Sequence, residues 1–384
     1  MINPRVSALS PSATLKITSL TKKLKKEGKD VVNFAAGEPD FDTPDFIKEA
    51  AKKAIDQGHT KYTPSSGTVD LRDAIAKKLH EENGIPCEGK NIIVTCGAKY
   101  AIFAAIIATV SRGDEVLLAT PYWVSYPEMV KLAGGKVKFI RTDKKDNFKI
   151  RKEKIEKSIT AKTKLLILNY PNNPTGITYS LQELEEIRAV AATKDFWILS
   201  DEIYEMLVYD GRKHTSFASL DGMAKRTITV NGFSKTFSMT GWRLGYLAAD
   251  SILVEQIAKI IDHTTSCASS VSQIAALAAL QNTAWPQQMR KEFENRRNLL
   301  YNGLGQLKAI QPIKTEGTFY MFCDIRKSGL TSADFSSRLL EKHLVSTIPA
   351  DSFGAEGFIR LSFATSTEDI KKGIERIKTF AQSI

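Results

Sequence analysis

The chain contains a series of short segments that are apolar nearly throughout instead of alternating: Glu115-Val116-Leu117-Leu118-Ala119, Leu165-Leu166-Ile167-Leu168, Phe196-Trp197-Ile198-Leu199, Thr227-Ile228-Thr229-Val230 and Leu244-Gly245-Tyr246-Leu247. Strands of this kind must be covered on both faces, which crossover helices accomplish. Helices are expected between them, among them Ala98 to Val110, after a strand at Ile92-Ile93-Val94-Thr95, while Lys136-Val137-Lys138-Phe139-Ile140 has a period of two. The pattern predicts an α/β fold with a mostly parallel sheet and helices on both faces. In such a fold the functional residues lie beyond the carboxyl ends of the strands.

The polar clusters stand at those ends. Asn169-Tyr170-Pro171-Asn172-Asn173-Pro174-Thr175-Gly176 follows the Leu165 run, and Ser200-Asp201-Glu202-Ile203-Tyr204 follows the Phe196 run. Beyond Val230 lies Ser234-Lys235-Thr236-Phe237-Ser238-Met239-Thr240-Gly241-Trp242-Arg243, a lysine among small and hydroxyl residues with an arginine eight positions on. A lysine amine that forms a Schiff base needs an anchored cofactor, and Arg243 suits a phosphate. Cys96-Gly97-Ala98-Lys99 makes a glycine turn between a strand and a helix whose first N–H groups are free for an anion. Taken singly, each residue also has a plainer reading. Asp201 fits a helix N-cap, Asn173 a turn, Trp123 a core aromatic and Lys99 a helix face. Arg360 sits inside Phe358-Ile359-Arg360-Leu361-Ser362, where burial demands a partner and a ligand carboxylate would serve.

Around this centre three regions are expected. Residues 1–40 form an N-terminal arm, with a helix from Leu15 to Glu27 ended by Gly28, a strand Val31–Phe34 and a tight backbone approach at Gly37. Residues 41–285 form the large domain, opening on Thr43-Pro44 as N-cap and first helical residue, with a further helix from Val69 to Glu82. From Trp285-Pro286 a long charged helix runs to Leu307, and short strands at Phe319–Phe322, Leu344–Ile348 and Phe358–Ser362 mix with two helices. Residues 286–384 therefore read as a smaller α+β domain.

The three lysine-, aspartate- and asparagine-bearing motifs, in this order and spacing, resemble a pyridoxal-phosphate aminotransferase of fold type I. The resemblance runs from Pro11-Ser12-Ala13-Thr14 to Phe358–Ala364, and the aspartate aminotransferases of the prokaryotic subgroup are the most similar members. It implies pyridoxal 5'-phosphate as cofactor, held covalently by Lys235, which also moves the substrate's α-proton. It implies Asp201 at the ring nitrogen, Tyr204 and Asn173 at the ring oxygen, and Trp123 stacked on the ring. Gly97, Ala98, Ser234, Arg243 and a neighbouring subunit's Tyr62 would hold the phosphate, which makes the enzyme a homodimer with shared sites. Arg360 and the Gly37 backbone would take the substrate α-carboxylate, and Lys99 with Thr14 a distal one. The expected reaction is transamination between aspartate or glutamate and a 2-oxo acid. Gly232 departs from relatives that carry a phosphate-binding hydroxyl there.

The rivals are prephenate or aromatic transamination, a carbon–sulfur β-lyase, and a regulator built on the same fold. Ser10 stands where prephenate-using relatives carry a basic residue, and the regulator is disfavoured because the resemblance already starts near Pro11. The net charge of +11 is spread in short lysine groups on helix faces, which suits a solvated surface better than nucleic acid. No apolar h-region opens the chain and no apolar run nears the ~18 residues of a membrane span, so a cytoplasmic protein is expected. Cys87, Cys96, Cys267 and Cys323 lack metal-ligand spacing and read as reduced, mostly buried thiols.

Overall fold

In the computed structural model, which describes residues 2–384, the apolar runs form one seven-stranded sheet. Its order is Ile92–Thr95, Gly245–Ala248, Thr227–Gly232, Trp197–Asp201, Thr163–Asn169, Glu115–Thr120, Lys136–Arg141. Gly245–Ala248 runs antiparallel to both of its neighbours and the other pairings are parallel. Successive side chains alternate between two covered faces. Val116, Leu118, Leu165, Ile167, Leu199 and Ile228 pack beneath the helices Ala98–Thr109 and Ser251–Asp262. Leu117, Leu166, Leu168 and Ile198 pack under Leu181–Ala192, and Ile92, Val94 and Tyr246 under Val69–Asn83 and Ser270–Leu280. Each such aliphatic side chain contributes about 1.5–3 kcal/mol on burial. Lys136–Arg141 is an edge strand, with Lys136, Phe139 and Arg141 exposed and Ile140 buried, so its burial does not strictly alternate.

A second, antiparallel sheet has the order Ile348–Pro349, Phe358–Ser362, Tyr320–Asp324, Gln311–Pro312. The helices Ala284–Leu304, Ser332–His343 and Thr367–Ala381 cover it through Phe293, Leu300, Phe335, Leu339, Ile370 and Ile377. Ile203, Tyr204, Leu207 and Tyr209, which follow the Trp197–Asp201 strand, belong to the same apolar cluster. That contact holds the turn after Asp201 against the second sheet.

Three expectations change. The single strand read over Leu344–Ile348 is two: Val345–Ser346 pairs in parallel with Val32–Asn33, and Ile348–Pro349 joins the second sheet. Thr43 does not cap the helix Asp45–Asp56, because Pro44 occupies the N-cap position. The Thr43 hydroxyl donates instead to the Ser238 carbonyl at 2.7 Å and accepts from Trp242 Nε1 at 3.0 Å, tying this segment to the lysine loop. Of the four free cysteines only Cys323 is buried; the other three are half-buried. Among the described residues no helix is long and apolar enough to cross a membrane.

Candidate active site

A cavity of about 410 Å³ opens at the carboxyl ends of the strands, between the two sheets. Thr14, Gly37, Ala98, Lys99, Trp123, Asn173, Asp201, Tyr204, Ser234, Lys235, Arg243 and Arg360 all line it. Residues nearly 350 positions apart in the chain are thus brought together. Gly97 stands just behind the wall, and Tyr62 lies outside the cavity, 90% exposed.

Lys235 sits in the one-turn helix Phe233–Thr236 directly after the Thr227–Gly232 strand. Its Nζ donates to the Gly37 carbonyl at 2.6 Å. Burial brings its pKa down to about 8; Glu38 opposes this, while Arg360, Arg243 and Lys99 add to it. A lysine so placed has an appreciable neutral fraction near physiological pH, which a nucleophile or base requires.

Asp201 ends its strand and is 4% exposed. Oδ2 accepts from the Tyr126 hydroxyl at 2.6 Å and Oδ1 from the Ile203 N–H at 3.2 Å. The second contact closes a turn rather than capping a helix. Burial raises the carboxyl pKa to about 6, and the two hydrogen bonds hold it from rising further. Asn169 supports the site from below, donating to the Asp201 carbonyl at 3.1 Å and accepting from the Asn173 N–H at 2.9 Å.

Arg360 is 2% exposed. Nη1 donates to Asn173 Oδ1 at 2.9 Å and Nη2 to the Ala35 carbonyl at 3.4 Å, whereas Nε has no partner. The guanidinium stacks on Tyr320, 4.0 Å from the ring centroid. A buried cation left without an anion costs several kcal/mol. Among the described residues Lys99 is also without a carboxylate; its Nζ lies 4.9 Å over the Trp123 ring.

The glycines explain the floor. Gly97 has φ +91°, and a Cβ there would come within 2.8 Å of Arg243 Nη2. A Cβ on Gly245 would lie 2.3 Å from the Ala98 nitrogen, so this strand presses against the N-terminus of the helix Ala98–Thr109. A Cβ on Gly232 would in turn come within 2.9 Å of Gly245 Cα. That contact is a physical reason for the missing hydroxyl at 232. The result is a shallow cradle of free helix N–H groups beside Arg243, whose only hydrogen bond among the described residues is from Nη1 to the Thr240 carbonyl at 2.8 Å.

The family model for aminotransferase class I and II matches residues 29–377. The chain belongs to this aminotransferase family. It is 42% identical to the aspartate aminotransferase of Bacillus subtilis, with 98% of each chain covered. It is 41% identical to the aromatic-amino-acid aminotransferase 2 of Thermococcus litoralis, over 98% of this chain and 97% of that one. The structure of the aspartate aminotransferase from Thermus thermophilus with maleate superposes with a TM-score of 0.96 at 40% identity, with both chains fully covered.

Aminotransferases of this family use pyridoxal phosphate, and the residues of this one fit it. Among the described residues, the cradle at Gly97 and Arg243 offers cationic and N–H donors without an anion, and the buried Asp201 carboxylate has no cation within hydrogen-bonding reach.

Some of the aminotransferase's lining residues were missed from sequence. Tyr126 and Tyr320 were not singled out, yet a buried tyrosine needs a partner for its hydroxyl, which is the signal that was available. Glu38, which accepts from the Thr240 hydroxyl at 2.7 Å, gave no signal at all. The fold also assembles Glu202, Glu205 and His214 with ligand atoms within 4.8 Å, a group that linear spacing could not reveal. Its carboxylates are already engaged: Ser200, Ser216 and His214 bond Glu202, and Lys78 and Asn83 bond Glu205.

Proposed function

We propose that this aminotransferase moves the amino group between aspartate or glutamate and a 2-oxo acid such as 2-oxoglutarate, with pyridoxal phosphate attached to Lys235. One observation carries the reading: Lys99, Arg243 and Arg360 line a single cavity with Lys235, and none of the three pairs with a carboxylate among the described residues. Such a site suits a phosphate together with two carboxylates.

Gly97, Ala98, Ser234 and Arg243 would hold the phosphate, Trp123 the ring face, Tyr204 and Asn173 the ring oxygen, and Asp201 the ring nitrogen. When bound, the cofactor supplies an electron sink for the pair left on the substrate's α-carbon. Lys235, lowered to a pKa of about 8, would take the α-proton and deliver it to the cofactor's carbonyl carbon. Asp201, ionised above about pH 6, supplies the negative charge that keeps a proton on a nitrogen facing it. Arg360, with the Gly37 backbone, grips the α-carboxylate through a planar fork backed by Tyr320. Its bond to Asn173 fixes both side chains at once.

Lys99, with Thr14, would read the distal carboxylate. Its pKa is lowered by burial and by Arg243, and the charge of an incoming anion would offset both effects. Lys99→Ala is expected to lower kcat/KM for aspartate by roughly ten- to a hundredfold, the value of a charged hydrogen bond at ~1.5–3 kcal/mol. Phenylalanine and alanine, lacking that carboxylate, should change far less, and equal losses for aspartate and phenylalanine would overturn the acidic-substrate reading. The relative solved with maleate, a dicarboxylate, supports it, while the aromatic relative keeps aromatic transamination as the second reading. A panel of amino donors against 2-oxoglutarate and oxaloacetate separates the two.

We place Tyr62, which does not reach its own chain's cavity, in the phosphate site of a second subunit. Mixing Tyr62→Phe and Lys235→Ala subunits should raise activity above that of either variant alone, because half of the sites in a hybrid dimer then carry neither defect. Hybrids that form without regaining activity would rule out shared sites.

A further inference from the structure

We propose that Tyr320 is a positioning residue that couples the carboxylate-binding arginine to the hydroxyl facing the cofactor. The inference rests on the proposed function for the role of Tyr204. Tyr320 opens the strand Tyr320–Asp324, is 1% exposed, and has three contacts that no other residue of the site combines. Its hydroxyl lies 3.1 Å from the Tyr204 hydroxyl. Its ring is the platform for the Arg360 guanidinium at 4.0 Å. A Cβ built on Gly37 would lie 3.8 Å from the same hydroxyl, so it also abuts the residue whose carbonyl receives Lys235.

A phenol has one proton and two lone pairs, which settles the direction of the chain. If Tyr204 spends its proton on the cofactor's ring oxygen, the proton between the two tyrosines must come from Tyr320. Tyr320 then donates to Tyr204, and a hydrogen bond received by a donor makes it a better donor. The ring of Tyr320 meanwhile faces the Arg360 cation, which favours a more acidic phenol. Charge placed on Arg360 by a substrate carboxylate is therefore felt at the ring oxygen through two hydroxyls. The charged groups facing this pair are Arg360, Asp201 and Glu38. Of these only Arg360 touches the Tyr320 ring.

The test uses the cofactor-loaded enzyme and reads the pH at which its visible absorbance band titrates, which reports the proton on the Lys235 nitrogen. A weaker hydrogen bond leaves more negative charge on the ring oxygen, so this nitrogen holds its proton more tightly. Tyr320→Phe, which keeps the platform and removes the hydroxyl, is expected to move the titration upward by about half a unit to one unit. KM for aspartate should stay within about twofold. Tyr320→Leu, which removes both, should shift the titration and also raise KM. Because Tyr320 acts through Tyr204, the shift in Tyr204→Phe should not grow when Tyr320→Phe is added. An unmoved titration in Tyr320→Phe, or shifts that add in the double variant, would overturn the coupling. Failure of the wild type to show a cofactor band would instead overturn the proposed function itself. If Tyr320→Phe does not fold, the comparison passes to Tyr320→His, which restores a donor; a titration in that variant as shifted as in Tyr320→Leu would also overturn the coupling.

Discussion

Lys235→Ala is expected to lose transamination by at least about 10⁴-fold, because in the proposed reading one substitution removes both the covalent anchor and the group that moves the α-proton. Borohydride reduction of the wild-type enzyme followed by peptide mapping should place the pyridoxyl group on Lys235, and a label on another lysine would move the whole site. The same amine gives a second, cofactor-independent readout. Its pKa falls from 10.5 in the unfolded chain to about 8 in the fold, mainly through burial. Between these values the unfolded state binds more protons, so stability of the cofactor-free protein rises with pH across that window. Below about pH 8 the amine is charged in both states and its burial opposes folding. Denaturant unfolding of the wild type, compared with Lys235→Ala from about pH 8 to 10.5, should show the rise only in the wild type. Parallel curves would mean that the amine is not desolvated.

Asp201→Asn is the second large effect, with turnover expected to fall by roughly 10²–10³-fold, the size seen when one preorganised electrostatic contact is lost. Asparagine keeps the shape and can still bond Tyr126 and the Ile203 N–H, but carries no charge to stabilise a proton opposite. Stability moves the other way. The Asp201 pKa rises from 3.8 to about 6 on folding because of burial. The folded state therefore binds more protons between these values, and the contribution to stability falls as pH rises through the window. Above about pH 6 the full cost of the buried charge is present, so the cofactor-free Asp201→Asn protein should be more stable than wild type at neutral pH. Unfolding curves of the two proteins check this, alongside steady-state rates. Wild-type turnover in Asp201→Asn would make the residue a turn-former only. A variant at once slower and more stable would show that the charge is kept for chemistry at the expense of the fold.

Much of the site was legible before any coordinates, because each chemical cluster follows an apolar strand and strands carry their signature locally. Asp201, Asn173 and Lys235 could be placed at strand ends from composition alone, and the glycine turn at Gly97 from its position between a strand and a helix. Gly232 illustrates the limit. The sequence shows only a missing hydroxyl, whereas the fold shows Gly245 Cα where a Cβ would go. Thr43 is similar: it carries every local mark of a helix cap, yet it is used to tie down the lysine loop.

Sequence by itself determined the alternation of strands and helices and the two-face burial of the sheet, since these depend on neighbours within a few residues, while the groups with chemistry to offer were named by the resemblance that the motifs carry together. Tertiary structure alone decided which of those groups meet. Arg360 acquires Asn173 from 187 positions away, Asp201 acquires Tyr126, and Tyr204 acquires Tyr320. Partnership of this kind is set by how two sheets and the arm pack together, and burial then does what no local pattern can: it strips water from Asp201 and Lys235 and moves their pKa values toward the pH at which they must act.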